Sequence, residues 1–169
     1  MVGWILPSSR TLVDEVVRRI DWHRARVIVE YGPGMGAFTS VLLKRMRPEA
    51  KLVAMETSED FCHFLNSSLR DERLRVIHES AAEIDTVLPR LGYAKADYVI
   101  SGIPFRPLSH RLRDAIVRKT HAVLQPQGRF LVYQFTSHAL PYLRNVFGQV
   151  SRDFELLNIL PAQLFCCAR

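Results

Sequence analysis

The sequence contains few cysteines and no long apolar run. Three of its 169 residues are cysteine (Cys62, Cys166 and Cys167), and their spacing matches no zinc-binding pattern. Three thiols cannot all pair with one another, so the sequence favours a reducing compartment over a disulfide framework. There is no stretch of about 18 or more apolar residues, and the amino terminus lacks a basic region followed by a long apolar segment. Neither a membrane-spanning helix nor a secretory signal is therefore predicted.

The sequence also lacks repeats, low-complexity tracts and linkers. A chain of 169 residues with 48% hydrophobic composition can bury one substantial core, so we expect a single domain over residues 1–169, with residues 1–7 as an N-terminal arm. The net charge of +6 and the pI of about 9.6 predict an anionic partner. Nucleic acid and an anionic lipid surface both satisfy this prediction, and charge alone does not choose between them.

Strand and helix patterns alternate along the chain. The opening helix is capped by Ser8 or Ser9 and has apolar residues at helical spacing up to Ile20. The last two predicted strands are joined by a short turn around Leu160 and Pro161, so they must form an antiparallel hairpin. We therefore expect an α/β fold with a seven-stranded, mostly parallel sheet, an antiparallel C-terminal hairpin and helices on both faces. The predicted strands are 26–31, 51–56, 74–78, 97–101, 129–134, about 153–159 and 162–168, and helices fill the intervals, including 81–91 and about 138–147.

The loop after the first predicted strand carries three glycines, at positions 32, 34 and 36, and Glu30 precedes the first by two residues. Glycine allows tight turns and close approach of a ligand, and the N–H groups at the start of the next helix favour an anionic group. Dinucleotide-binding folds usually show G-x-G-x-x-G, whereas the third glycine here comes one residue early. The pattern E-x-G-x-G-x-G resembles motif I of the Rossmann-like S-adenosylmethionine (SAM)-dependent methyltransferases.

Two further loops are expected at the same edge of the sheet, where ligands of open α/β sheets bind. Glu56, followed by Thr57, stands at the end of the second strand, where its carboxylate can accept hydrogen bonds from both ribose hydroxyls. Glu56 can alternatively cap the next helix. Small residues follow the third strand and suit an adenine pocket, although the serine among them is equally suited to capping a helix. These residues are Ser80, Ala81 and Ala82.

Three further motifs make the resemblance more specific. Residues 101–105 (Ser-Gly-Ile-Pro-Phe) resemble motif IV of amino-methylating enzymes, and they occur together with Pro-Ser-Ser-Arg at 7–10 and Tyr-Gln-Phe-Thr at 133–136. With these motifs the whole domain resembles the bacterial phospholipid N-methyltransferases of the Rhizobium type. The resemblance implies SAM as cofactor, S-adenosylhomocysteine as product, and methyl transfer to the amine of phosphatidylethanolamine. Related enzymes methylate ornithine lipids.

The resemblance also implies roles for individual residues. Gly32, Gly34 and Gly36 would hold the amino acid portion of SAM beside Glu30, and Ser8 and Ser9 would fold over the cofactor, unless they only form a turn and helix cap. Ser101 and Gly102 would lie at the methyl-transfer centre. Tyr133, His110 or a water molecule would accept the proton that the substrate amine loses. No metal ion and no enzyme nucleophile is needed.

Substrate contacts are expected from aromatic and basic residues near the same edge. Four aromatic residues can surround a methylated cation or pack in the core; they are Tyr31, Phe105, Tyr133 and Phe135. Four basic residues follow motif IV as candidates for a lipid phosphate, and Arg106 is the preferred one over His110, Arg111 and Arg113. We expect a cytoplasmic enzyme that is peripherally associated with the inner face of the membrane.

The ribosomal RNA adenine dimethyltransferases share much of this pattern and provide an alternative. They usually carry Asn at the position of Ser101 and an aromatic residue at that of Phe105, and they append a helical RNA-binding domain. Here Ser replaces Asn and the sequence ends with the sheet, so we expect a lipid substrate rather than RNA, with adenine stacking on Phe105 left open. A SAM-binding module without enzymatic activity is a third class.

Overall fold

The computed structural model describes residues 10–155 and 162–169. The predicted N-terminal arm, Ser8, Ser9 and the predicted turn at Leu160 and Pro161 lie outside the described residues. The strands are β1 (Val27–Tyr31), β2 (Lys51–Glu56), β3 (Leu74–His78), β4 (Ala96–Ser101), β5 (Leu124–Gln134), β6 (Gln149–Glu155) and β7 (Ala162–Ala168). The helices are α1 (Arg10–Val17), α2 (Ala37–Arg45), α3 (Glu59–Ser68), α4 (Ile84–Arg90), α5 (His110–Val123) and α6 (Leu140–Val146), with 3-10 turns at Ala81–Glu83 and Ser137–Ala139.

All of these strands belong to one sheet, in the order β3-β2-β1-β4-β5-β7-β6. β1 to β5 pair in parallel, and β7 is antiparallel to both β5 and β6. The predicted fold class is therefore confirmed. The strand order reverses between β1 and β4, so the loops that follow these two strands flank the crevice in which open α/β sheets bind their ligands.

The central strands are buried on both faces, which explains their nearly continuous apolar sequences. Because side chains alternate along a strand, Ile28 packs into one core with α1 and α2, whereas its neighbour Val29 packs into the other with α4, α5 and α6. This double burial fixes the register of the parallel strands and holds their carboxyl ends at one level.

Two strands begin several residues earlier than the sequence predicts. β5 begins at Leu124 instead of position 129: Leu124 pairs with Ala96 and the next pair is Tyr98 with Arg129, so residues 125–128 bulge out of the ladder. β6 begins at Gln149, earlier than the predicted position near 153. This strand lies at the edge of the sheet and pairs with β7 alone, so polar residues are tolerated there and the apolar alternation that marks a strand is weak.

The opening helix is also shorter than predicted. The α-helix ends at Val17, although the apolar periodicity continues to Ile20, which is buried in a turn after the helix. Within residues 10–155 and 162–169, no helix is both long enough and apolar enough to cross a membrane.

Candidate active site

The loop between β1 and α2 is shaped by its three glycines. Gly32, Gly34 and Gly36 have φ angles of 69°, 54° and 80°, a region that residues with side chains rarely adopt. The loop is also tightly packed, because a Cβ atom at Gly36 would lie 2.8 Å from the side chain of Leu65 in α3. Gly36 caps α2 without any side-chain bond to the first turn of the helix. The result is a backbone cradle at the amino end of α2, a position that suits an anionic group such as a carboxylate.

Glu56 connects this cradle to β2. Its Oε2 accepts a hydrogen bond from the Gly34 N–H at 3.1 Å, and its Oε1 accepts from the N–H groups of Thr57 at 2.8 Å and Ser58 at 3.0 Å. The alternative role of capping the next helix is therefore present in the structure. Since a carboxylate offers about four acceptor positions, these three bonds leave capacity for a ribose hydroxyl.

Glu30 is buried beneath the cradle. Its Oε2 accepts a hydrogen bond from the Thr39 hydroxyl of α2 at 2.8 Å. Burial raises the pKa of Glu30 to about 7, and the nearby charge of Glu56 adds to the rise, whereas the bond from Thr39 opposes it. A buried acid that titrates near neutrality is suited to gaining a cationic partner, and the ammonium group of an amino acid is such a partner.

The residues after β3 complete this side of the crevice. Ser80 caps the 3-10 turn, since its Oγ accepts a hydrogen bond from the Ala82 N–H at 3.2 Å. Ala81 and Ala82 are buried and small. The capping role considered for Ser80 is thus observed, and the adenine contact of these three residues stays a prediction.

The turn after β4 lies on the other side of the crevice. Ser101 is fully buried, and its hydroxyl has no hydrogen-bond partner among the described residues. The Gly102 N–H donates to the Tyr31 carbonyl of β1 at 3.2 Å. A Cβ atom at position 102 would lie 2.0 Å from the Tyr133 hydroxyl, so only glycine allows this tyrosine to cover the turn. The Tyr133 ring in turn stacks on Phe38 of α2, with centroids 4.7 Å apart.

Comparison with known families decides the class of this site. The model of the family described as ribosomal RNA adenine dimethylase matches residues 7–125. The chain belongs to this family of SAM-dependent methyltransferases. Both the predicted class and the predicted cofactor are thereby confirmed. The glycine cradle, the buried Glu30 and the position of Glu56 fit this cofactor, because they offer one partner each for a carboxylate, an ammonium and a ribose.

The named relatives act on different substrates, one on a lipid and others on ribosomal RNA. The methyltransferase is 31% identical over 170 residues to an ornithine lipid N-methyltransferase of Singulisphaera acidiphila. The aligned region covers 98% of this chain and 88% of that protein. It is 32% identical over 102 residues to ribosomal RNA small subunit methyltransferase A of Mycoplasma capricolum, covering 58% of this chain and 36% of that protein. The chain thus spans roughly a third of the latter relative's length.

A solved structure supports the fold assignment. An rRNA methylase from Streptococcus thermophilus matches with a TM-score of 0.71 over 98% of this chain and 99% of that chain, at 15% identity. This likeness concerns the fold alone.

The aromatic residues expected around the substrate divide into two groups in the methyltransferase. Tyr31 and Phe105 are fully buried core residues, and the Tyr31 hydroxyl is 3.0 Å from that of Thr120. The Phe105 ring fills the core in this structure, so a contact with the substrate would need the turn to open, and its role in substrate binding stays a prediction. Tyr133 is half-buried, and the Phe135 side chain is 44% exposed. These two residues are the more accessible candidates for an aromatic contact to the substrate.

The basic residues after motif IV also differ among themselves. Arg106 is exposed, and its side chain has no hydrogen bond or ion pair with any residue that the structure describes. Arg113 instead makes intramolecular contacts. Its Nη2 donates to the Arg106 carbonyl at 2.8 Å, and its guanidinium lies 5.6 Å from the centroid of the Tyr142 ring. His110 packs edge-on against the same ring, with centroids 5.2 Å apart. Arg111 is likewise exposed and without a hydrogen bond or ion pair to any described residue, so Arg106 and Arg111 are the two most available to an anionic group.

Sequence reasoning assigned no individual role to Thr39 or Gln134, which the structure places at the site. Gln134 is 5% exposed, and its side-chain amide bonds to the backbone of the turn after β4. A buried polar residue that ends the apolar run of β5 was the available signal. No cluster of three or more metal-ligating side chains exists in the part of the chain that the structure describes.

Proposed function

We propose that this methyltransferase transfers methyl groups to the primary amine of a membrane lipid. Phosphatidylethanolamine is the acceptor implied by the sequence motifs, and ornithine lipid is the acceptor named for the relative that matches the chain almost throughout. Both lipids present an amine at a membrane surface, and the exposed cation of Arg106 complements the phosphate of one and the carboxylate of the other. We place the enzyme at the cytoplasmic face of the membrane, as a peripheral protein.

The observation that carries this proposal is the burial of Phe105. A flipped adenine is held by stacking between aromatic or apolar side chains, which requires an accessible ring. Phe105 is 0% exposed, so its ring offers no such platform while it remains in the core. An aliphatic amine needs no stacking partner, and it can be oriented by the oxygen atoms of a narrow turn. The full-length match to the lipid enzyme supports the same choice.

In this proposal the cofactor binds along the ends of β1, β2 and β3. Gly32, Gly34 and Gly36 hold its amino acid portion, and Glu30 pairs with its ammonium group. Glu56 binds the ribose beside Thr57, and the segment 80–82 contacts the adenine. Ser8 and Ser9 keep their predicted role over the cofactor. When bound, SAM supplies a methyl group on a sulfonium, which is already a good leaving group.

The remaining catalytic work is positioning and proton removal. The buried hydroxyl of Ser101 has no partner among the described residues and is free to accept a hydrogen bond from the substrate amine. Tyr133 covers Gly102 and excludes water from the turn. A primary ammonium must lose a proton before it can attack. The hydroxyl of Tyr133 can relay it, because its oxygen receives the ammonium proton while its own proton passes to a water molecule, and it is better placed than His110, whose ring packs on Tyr142.

The test is methyl transfer from labelled SAM to vesicles that contain phosphatidylethanolamine or ornithine lipid, with purified ribosomal RNA in parallel. We expect label in one of the two lipids. Label in RNA alone, or in none of the three substrates, would overturn the lipid assignment. RNA adenine methylation is the second candidate because the matching family model carries that description. Binding of SAM without turnover on any substrate would indicate the non-enzymatic class.

A further inference from the structure

The turn after β4 is tied to β5 by one side chain. Gln134 is the last residue of β5, and its Oε1 accepts a hydrogen bond from the Phe105 N–H at 3.0 Å. Its Nε2 donates to the Ile103 carbonyl at 2.7 Å. One amide therefore satisfies the backbone on both sides of Pro104, which has no N–H of its own.

The two hydrogen bonds of Gln134 hold the turn just beyond the point where the pairing of β4 with β5 ends. β4 and β5 pair up to Ser101 and Val132, and the turn beyond that pair has no ladder to hold it. Buried backbone groups without partners are costly, so a side chain that supplies both a donor and an acceptor stabilises one conformation of the turn. Apolar side chains could fill the same space but would not select that conformation.

Other side chains contact the turn before and after the two residues that Gln134 binds. Tyr133, the residue before Gln134, covers Gly102, and Arg113 of α5 binds the Arg106 carbonyl. Adjacent residues of β5 thus contact the turn at different points, since side chains alternate along a strand. Among these contacts Gln134 alone provides two directed bonds, and they hold residues 103 and 105, which lie along the chain between Ser101 and Arg106.

We propose that Gln134 is a positioning residue, which holds the turn at residues 101–106 in the conformation that aligns the acceptor amine for methyl transfer. The inference rests on the proposed function for its effect on catalysis. A displacement of the reacting groups by about 1 Å can cost about 100-fold in rate, so loss of the connection acts on kcat more than on cofactor binding.

The most informative variant is Gln134→Glu. A protonated carboxylic acid has the shape and the hydrogen-bonding groups of the amide, because its carbonyl accepts from Phe105 and its hydroxyl donates to Ile103. The ionised form loses the donor and opposes the Ile103 carbonyl with a negative charge. We therefore expect the ratio of its kcat to that of the wild type to be highest at low pH and to fall about tenfold or more as the carboxyl ionises.

Two further variants separate positioning from simple loss of structure. Gln134→Leu cannot regain the bonds, so we expect its kcat to be low at every pH with no recovery. Gln149→Glu places the same new charge on the exposed edge strand β6 and should follow the wild-type profile. Arg113 and Tyr133, the charged and titratable groups in contact with the turn, are present in every variant, so the ratio to wild type cancels their contribution.

Hydrogen exchange of the Phe105 amide, measured by NMR, tests the connection without any acceptor. We expect faster exchange than in the wild type for Gln134→Leu at every pH, whereas Gln134→Glu, whose carboxyl accepts from the Phe105 N–H in both protonation states, should keep slow exchange. If the wild type methylates neither lipid nor RNA, the proposed function fails. The exchange rate of the Phe105 amide still shows whether Gln134 holds the turn. Wild-type kcat in Gln134→Leu, a pH profile of Gln134→Glu parallel to the wild type, or unchanged Phe105 exchange in Gln134→Leu would overturn the inference.

Discussion

The two sides of the crevice are built in different ways. On the cofactor side, positive φ angles at three glycines and a Glu56 carboxylate with both oxygens bonded fix the backbone. On the acceptor side, the turn after β4 is held by side chains from β5 and α5, and it leaves the Ser101 hydroxyl and the Arg106 cation without partners among the described residues. The conformation of the first side is thus set mainly by its own backbone, whereas that of the second depends on side chains from other elements.

The largest expected effect is loss of the cradle on the cofactor side. Gly34 has a φ of 54°, so Gly34→Val combines backbone strain with a branched side chain in the loop. We expect no detectable SAM binding by calorimetry. Gly92→Val is the matched control, because Gly92 also has a positive φ of 84° but follows α4, where a Cβ would meet nothing. It should lose stability and keep its SAM affinity. Equal affinities in both variants would contradict a cradle at Gly34.

Glu30 provides the next largest effect, on stability as well as binding. Its folded pKa of about 7 lies above the unfolded value of 4.5, so the native state holds a proton that the unfolded chain releases. The free energy of unfolding of the free protein should therefore fall as pH rises from about 4.5 to 7, by up to about 3 kcal/mol, and then level off. Glu30→Gln should remove this part of the slope in urea titrations and weaken SAM binding about tenfold or more.

The same carboxyl connects binding to proton release. If the SAM ammonium lies beside Glu30, it lowers the pKa of this acid, and SAM binding near pH 6.5 releases a proton. Calorimetry in buffers of different ionisation enthalpy measures that release. The wild type should release a fraction of one proton, and Glu30→Gln should not. A binding enthalpy that does not depend on the buffer would contradict the assigned role.

Ser101 tests the acceptor side without disturbing the fold. Because its hydroxyl has no partner among the described residues, Ser101→Ala should change the free energy of unfolding by less than about 1 kcal/mol. We expect kcat with the lipid acceptor to fall about tenfold while SAM affinity stays at the wild-type value. Ser151→Ala on β6 is an exposed control. An unchanged kcat in Ser101→Ala would remove this hydroxyl from the reaction.

The smallest effect is expected for Arg106. Replacing this exposed cation by alanine should reduce methylation of vesicles by about 3- to 10-fold, mainly through the apparent affinity for lipid, and leave SAM affinity unchanged. Arg70→Ala removes another exposed arginine, after α3, and should retain full activity. Equal losses in both variants would mean that net charge matters and that the position of Arg106 does not.

The comparison also shows what the sequence could predict. The cofactor side was largely predictable, because glycine spacing, Glu30 and the strand-ending Glu56 are local signals that directly reflect backbone geometry. The burial of Phe105 and the bonds of Gln134 were not, since they depend on which side chains of β5 meet the turn after β4. The early start of β6 escaped prediction because a polar edge strand lacks apolar alternation, and the bulge at residues 125–128 is set by pairing with β4.

The most direct test of the account is the chemical position of the transferred methyl group. The methyltransferase is incubated with SAM that carries a deuterated methyl group, mixed aminolipid vesicles and ribosomal RNA, and the products are analysed by mass spectrometry. The account predicts that deuterated methyl groups appear on the head-group nitrogen of a lipid. Deuterium on the N6 atom of adenine, with both lipids unlabelled, would contradict it.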